Sequence, residues 1–156
     1  MTVKKILSKD DIRLKINMKD ILGRNLPNDS DVIDAIGQKA IDMIIERTQD
    51  GKALNGRNFT PKYSDEYKAS DEFKAFGKTN KVNMTLTGDM LGLMDVVKST
   101  RNTFDIGWDD AEENAKAFNH NTGDTVHKRP FFGLQKQEIK QLKKFAERLI
   151  KDKDDE

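Results

Sequence analysis

From Asp11 to Met18 polar and apolar side chains alternate without a break: Ile12, Leu14, Ile16 and Met18 on one side, Asp11, Arg13, Lys15 and Asn17 on the other. Successive side chains of a strand point to opposite faces, so the pattern is that of a strand with one face buried and the other in water. A helix would scatter the same residues around its axis. The stretch therefore commits the chain to a sheet with one covered face. An arm that pairs with a neighbouring subunit carries the same signature, so residues 1–27 are expected to form an N-terminal strand or arm.

Material to cover that face comes next. Gly23 to Asp31 is turn-rich and ends in the candidate helix caps Asp29 and Ser30. Val32, Ile33, Ile36, Ala40, Ile41, Ile44 and Ile45 then recur at helical spacing as far as Arg47, with Met43 widening the stripe and Gly51 as a C-terminal stop. Gly37, inside this helix, marks either a close backbone approach or a tolerated glycine. Gly51 to Ser64, with Asn55-Gly56 and Pro61, reads as an extended loop anchored by Phe59 and Tyr63. A short helix is expected from Ser64 through Phe76 and a polar connection from Lys78 to Asn83.

Val96 to Ser99 and Thr103 to Trp108 form a hairpin pattern around Thr100, Arg101 and Asn102, with Phe104, Ile106 and Trp108 on one face. Asp109 or Asp110 caps a helix through Phe118, closed by the Asn119 to Asp124 cluster. A last helix runs from Gln135 to Ile150, its buried stripe being Ile139, Leu142, Phe145, Leu149 and Ile150. The expected fold is α+β, a single domain over residues 1–150. In it a small antiparallel sheet or hairpin packs on a long central helix and a C-terminal helix, with long loops. Residues 151–156 are expected to be a disordered charged tail.

Composition narrows function. The 156 residues suffice for one core, and charged and hydrophobic residues each make up 35% of the chain. The formal charge is +1, so no whole-chain field draws in nucleic acid or an anionic membrane, and recognition by charge must be local. With no cysteine, thiol catalysis, disulfides and thiolate metal sites are excluded. The start of the chain lacks the apolar run of a signal peptide, and no stretch approaches the roughly 20 apolar residues of a membrane span. Synthesis in a cytoplasm, with no membrane partner, is the expectation.

Chemistry-bearing patterns are sparse. His120 and His127 flank Asp124 in a loop, two imidazoles and a carboxylate at a spacing that matches no strong metal motif, and they read as exposed loop histidines. Gly51-Lys52 and Gly56-Arg57 set glycine beside cations, but a phosphate-binding loop precedes its helix and here a helix comes first. Asp109, Asp110, Glu112 and Glu113 are what the positive end of a helix dipole already favours. No serine lies in a Gly-x-Ser-x-Gly motif. The expectation is a protein that is not an enzyme and carries no catalytic residue, cofactor or metal.

Two segments stand out by charge. Lys128 to Arg148 holds seven cations, Lys140 and Lys144 among them, against Glu138 and Glu147; Asp105 to Glu113 holds five carboxylates, Asp109 and Asp110 among them, and no cation. Opposite patches of this kind steer copies of one chain head to tail, and both are equally readable as solvated helix faces. The basic segment also suits a monomeric nucleic-acid or regulatory binding module, although no aromatic residues interleave with it for base stacking.

Several short segments, in order, carry a resemblance. They are Glu46-Arg47-Thr48, Asp50-Gly51, Asn55-Gly56-Arg57-Asn58-Phe59, Tyr63-Ser64 with Tyr67, and Leu86-Thr87-Gly88-Asp89-Met90-Leu91. Lys116-Ala117-Phe118, Asn121-Thr122-Gly123 and Arg129-Pro130-Phe131-Phe132-Gly133-Leu134 complete the set. Together they resemble the phage virion morphogenesis family, the small neck or tail-completion proteins of long-tailed and Mu-like bacteriophages, over Val32 to Phe145. Gln135 departs from the family, which often has Ser there, and so weakens the expected cap of the last helix.

The resemblance implies a structural virion protein that joins or completes head and tail as a ring of identical subunits around the DNA channel. Its implied partners are itself, connector or adaptor, tail-terminator or tail-tube proteins, with non-specific contact to DNA. Arg129 to Leu134 is expected to be a fixed turn, since Pro130 sets one backbone angle and Gly133 frees another. Within it Arg129, Phe131 and Phe132 are either interface anchors or a plug under the last helix. The loop with Arg57, Phe59 and Tyr63 and the strand from Asp11 to Met18 are the other candidate contact surfaces.

Overall fold

The structure, a computed structural model, describes residues 2–59, 69, 89–124 and 126–155. Tyr63, the expected helix from Ser64 to Phe76, the connection from Lys78 to Asn83 and the Leu86-Thr87-Gly88 part of the family-like motif lie outside the described residues. The elements in chain order are β1 (Val3–Ser8), β2 (Asp11–Asn17), α1 (Met18–Leu22), α2 (Ser30–Gln49), α3 (Asp89–Gly92), β3 (Asp95–Ser99), β4 (Thr103–Gly107), α4 (Ala111–Thr122) and α5 (Lys136–Asp154). The strands form one antiparallel sheet in the order β1-β2-β4-β3, and the fold is α+β.

The alternation in β2 does what a period of two requires. Ile12, Leu14 and Ile16 are buried, Asp11 and Lys15 are exposed, and Met18 continues the buried face into α1. Phe104 and Ile106 of β4 lie opposite Ile16 and Leu14 on the same face. β2 is therefore an interior strand, and the free edge expected of it belongs to β1, whose mixed sequence VKKILS gave no alternating signal.

α2 lies across the core face of the sheet, and its capping follows the sequence: the Asp29 carboxylate accepts from the N–H groups of Asp31 and Val32. Gly37 is a close approach, because a Cβ there would stand 2.7 Å from Val96 Cγ2 on β3. α5 packs along α2 and touches α1, burying Leu142, Ala146 and Ile150 with Ile139, Phe145 and Leu149 partly covered. Each large aliphatic side chain so buried contributes about 1.5–3 kcal/mol. The helix continues to Asp154, past its expected end at Ile150, and Lys153 pairs with the α2 cap Asp29 at 2.7 Å. The cap itself ties this continuation down, so residues 151–154 are helical and not a loose tail.

α4 is positioned by a side chain acting as backbone. β4 ends at Gly107, one residue before the ladder would satisfy the N–H of Ile12; Asn114 Oδ1 accepts that N–H at 3.0 Å instead. Asn114 Nδ2 donates to Lys9 O at 3.2 Å, which brings the β1–β2 turn against the start of α4. Asp110 caps the helix through Glu113 N, and Gly123 closes it.

Candidate functional site

The Arg129-to-Leu134 turn is the most heavily fixed irregular segment among the described residues. Phe131 and Phe132 are both fully buried and form a ring cluster with Trp108, at centroid distances of 6.4 and 5.1 Å. Their backbone N–H groups both donate to Asn121 Oδ1 at 3.0 Å, and Asn121 Nδ2 donates to Ala117 O at 2.7 Å. On the other side Arg47 of α2 donates to Phe131 O, and to Gly133 O at 3.3 Å. Its remaining terminal nitrogen pairs with Glu138 of α5. Gly133 has φ 151°, and a Cβ there would stand 2.8 Å from Leu54 Cδ2, so the turn needs glycine for both reasons.

Arg47 and Glu138 are both buried, and Glu138 also accepts the Gln135 N–H at 2.8 Å. The weak cap expected from Gln135 is thus made good by Glu138 reaching back, while the Gln135 amide donates to Leu54 O at 3.1 Å. Burial draws the Arg47 pKa below its ordinary value and the Glu138 charge opposes that pull. Lys5 of β1 turns its ammonium inward to Phe132 O at 3.1 Å; burial first, then Arg47 and Lys128, lower its pKa. Beside the clamp an open groove of about 750 Å³ runs between the end of α2 and the start of α5, with Glu46, Asp50, Lys52 and Gln141 on its walls. Its walls mix both signs of charge and select no single charged ligand.

These contacts decide several expectations. Phe131 and Phe132 are the plug under the last helix and offer no side-chain surface to a neighbour. Phe59 is 3% exposed and likewise belongs to the core. The loop before it is not extended: Lys52 pairs with Asn58, Ala53 N–H reaches Arg57 O at 2.8 Å, and Leu54 N–H reaches Pro130 O at 3.0 Å. Among described residues of this loop, Arg57 stays on the surface. Arg129 is half-buried and its N–H donates to His120 O at 2.7 Å. His120 Nδ1 is buried without a hydrogen-bond partner; burial, then the neighbouring Arg129 charge, hold its pKa below the ordinary imidazole value. Among the described residues no three metal-ligating side chains of His, Asp or Glu converge.

The charged patches shrink and sharpen. Asp105 is 4% exposed and pairs with Arg13 at 3.2 Å; Glu113 is buried and pairs with Lys116 at 2.8 Å. The exposed acids are Asp109, Asp110 and Glu112, Lys116 reaches Glu112 at 3.9 Å, and the Asn114 contacts bring the β1–β2 turn with Lys9 and Asp10 against the start of this helix. On α5, Glu138 is spent on Arg47, which leaves Lys136, Lys140, Lys143, Lys144 and Arg148 exposed, with Glu147 as the exposed acid among them. Lys136 to Arg148 spans about 18 Å at the helical rise. No ion pair joins this stripe to the acidic corner among the described residues.

Sequence reasoning missed Arg47, Glu138 and Asn121. Arg47 stands three residues after buried Ile44 and Glu138 four before buried Leu142, so each charge falls on an apolar helical stripe. Two opposite charges in such positions are the available signal for a buried pair. Comparison with known protein families, characterised proteins and solved structures finds no match.

Proposed function

We propose that this chain is a structural protein of a tailed phage particle, a neck or tail-completion component that joins head and tail by assembling into a ring of identical subunits. The kind of assembly comes from the resemblance of the ordered segments from Glu46 to Leu134. The observation that carries self-association is the uneven spread of exposed charge, with Asp109, Asp110 and Glu112 at one corner beside the Lys9-Asp10 turn, and Lys136, Lys140, Lys143, Lys144 and Arg148 along α5, where Glu147 is the exposed acid among them. Opposite patches that, among the described residues, no ion pair joins to each other suit a head-to-tail contact, and a head-to-tail contact whose rotation closes makes a ring. Connector, adaptor, tail-terminator or tail-tube proteins are the partners this reading assigns, in the virion.

The test is the mass of the purified protein by light scattering, at low and moderate salt, alone and with a connector or tail-terminator protein. The expected result is a closed oligomer, alone or with the partner, that loosens as salt screens exposed charge. A strict monomer under every condition sinks the ring. The α5 stripe favours a second reading, a nucleic-acid binding module; a monomer whose affinity for DNA falls steeply with salt would select it.

A further inference from the structure

The sheet ends in two edges that differ in kind. β3 carries a register shift between Val96 and Lys98, which breaks the run of backbone groups another strand would need. β1 runs straight from Val3 to Ser8 without proline or glycine. The bond from Asn17 N–H to Thr2 O, 2.9 Å, marks these two as a hydrogen-bonded pair of the β1–β2 ladder. Alternation along an antiparallel ladder then turns the N–H and C=O groups of Val3, Lys5 and Leu7 away from β2, toward the free edge. Among the described residues no strand takes them up, and Lys4, Lys5, Leu7 and Ser8 are exposed. Leu7, at 39% exposure, is one of three exposed large apolar residues among those described.

We propose that this edge pairs with the same edge of a second copy of the chain, antiparallel, about a two-fold axis at Ile6. Charge selects both occupant and register. An axis at Lys5 would set Lys5 directly against Lys5 of the second copy, and even with each ammonium turned inward to its own Phe132 O two like charges would then face one another across the ladder, which destabilises it. With the axis at Ile6, Ile6 meets Ile6, Lys5 meets Leu7 and Lys4 meets Ser8, so no like charges oppose. The bonded pairs are then Lys5 with Leu7, twice, using groups that already point outward.

On the solvent face the two copies are complementary. Lys4 lies opposite Lys15 in the sheet, and Ser8 lies opposite Asp11. Pairing Lys4 with Ser8 of the second copy therefore aligns Lys15 and Lys4 with Ser8 and Asp11, cations on one side and a carboxylate on the other. Ser8 is small enough to leave the Lys4 ammonium room to reach across it, and the two-fold axis repeats the arrangement. The contact uses none of the α5 cations, so it goes beyond the ring reading and holds whether or not a ring forms.

The chain has no cysteine, so a single introduced thiol reports on this contact alone. Ile6 falls at a non-bonded position of the new ladder, where Cα atoms stand about 4.5 Å apart, within the range a disulfide spans. Under mild oxidation Ile6→Cys should give a disulfide dimer on non-reducing gels on the order of a hundredfold faster than Lys19→Cys, an exposed control on α1, as expected when contact replaces micromolar collision with millimolar effective concentration. Lys4→Cys and Ser8→Cys should each react slowly alone and fast when mixed, and because both positions are exposed this pair decides the matter if Ile6→Cys does not fold. Rates no faster than the Lys19 control, or Lys4→Cys reacting fastest with itself, overturn the pairing.

Discussion

Arg47 is the residue on which the irregular part of the fold turns. Its guanidinium closes on Glu138 of α5 and on the carbonyls of Phe131 and Gly133, so one side chain ties the central helix, the last helix and the turn before it. Bringing two charges out of water is costly, and the pair holds because each partner also satisfies backbone groups that would otherwise be buried alone. Arg47→Met leaves the Glu138 charge uncompensated and should cost about 3–5 kcal/mol in urea unfolding. Arg47→Met/Glu138→Gln removes the charge and keeps an acceptor for the Gln135 N–H, so it should lose less than the single variant. A double variant that loses the sum of the two single losses would show that the residues act separately.

At the scale of elements, patterns with a fixed period were legible and pairings were not. The period of two in β2 and the helical stripes of α2 and α5 state which face is buried, because burial and period are one constraint read twice. β1 escaped, since an edge strand half in water needs no alternation, and its partner lies in the next strand, not in its own sequence. Gly37 shows what packing adds. The helix alone allows either an alanine or a glycine there, and only the approach of Val96 Cγ2 decides between them. Gly37→Ala should therefore destabilise the protein by about 1–3 kcal/mol through overpacking, despite alanine's better helix propensity. Gly37→Ala/Val96→Ala, with the opposing methyls gone, should recover part of that loss in thermal unfolding. If Gly37→Ala raises the midpoint, the helix and sheet are not in contact at this point.

For the whole molecule, charge was legible in total and not in distribution. The five acids from Asp105 to Glu113 read as one patch in sequence. Folding withdraws Asp105 to Arg13 and Glu113 to Lys116, while Asn114 draws in the turn of Lys9 and Asp10 from about a hundred residues away. What remains exposed is what a neighbouring subunit can meet, and it sets the last prediction. Reversing the corner with Asp109→Lys, Asp110→Lys and Glu112→Lys leaves two basic surfaces, and Lys140→Glu, Lys144→Glu and Arg148→Glu leaves two acidic ones. If the corner docks on the α5 stripe, each triple variant alone should be monomeric by light scattering, because like surfaces now meet. An equimolar mixture should assemble again, since every junction in an alternating array joins opposite signs. Loss of a cap at Asp110 or a change in helix stability would weaken a single variant, but neither would be repaired by mixing two folded proteins. Assembly of either triple variant by itself, or a mixture that stays monomeric while the unaltered chain forms a ring, would move the subunit contact to another surface.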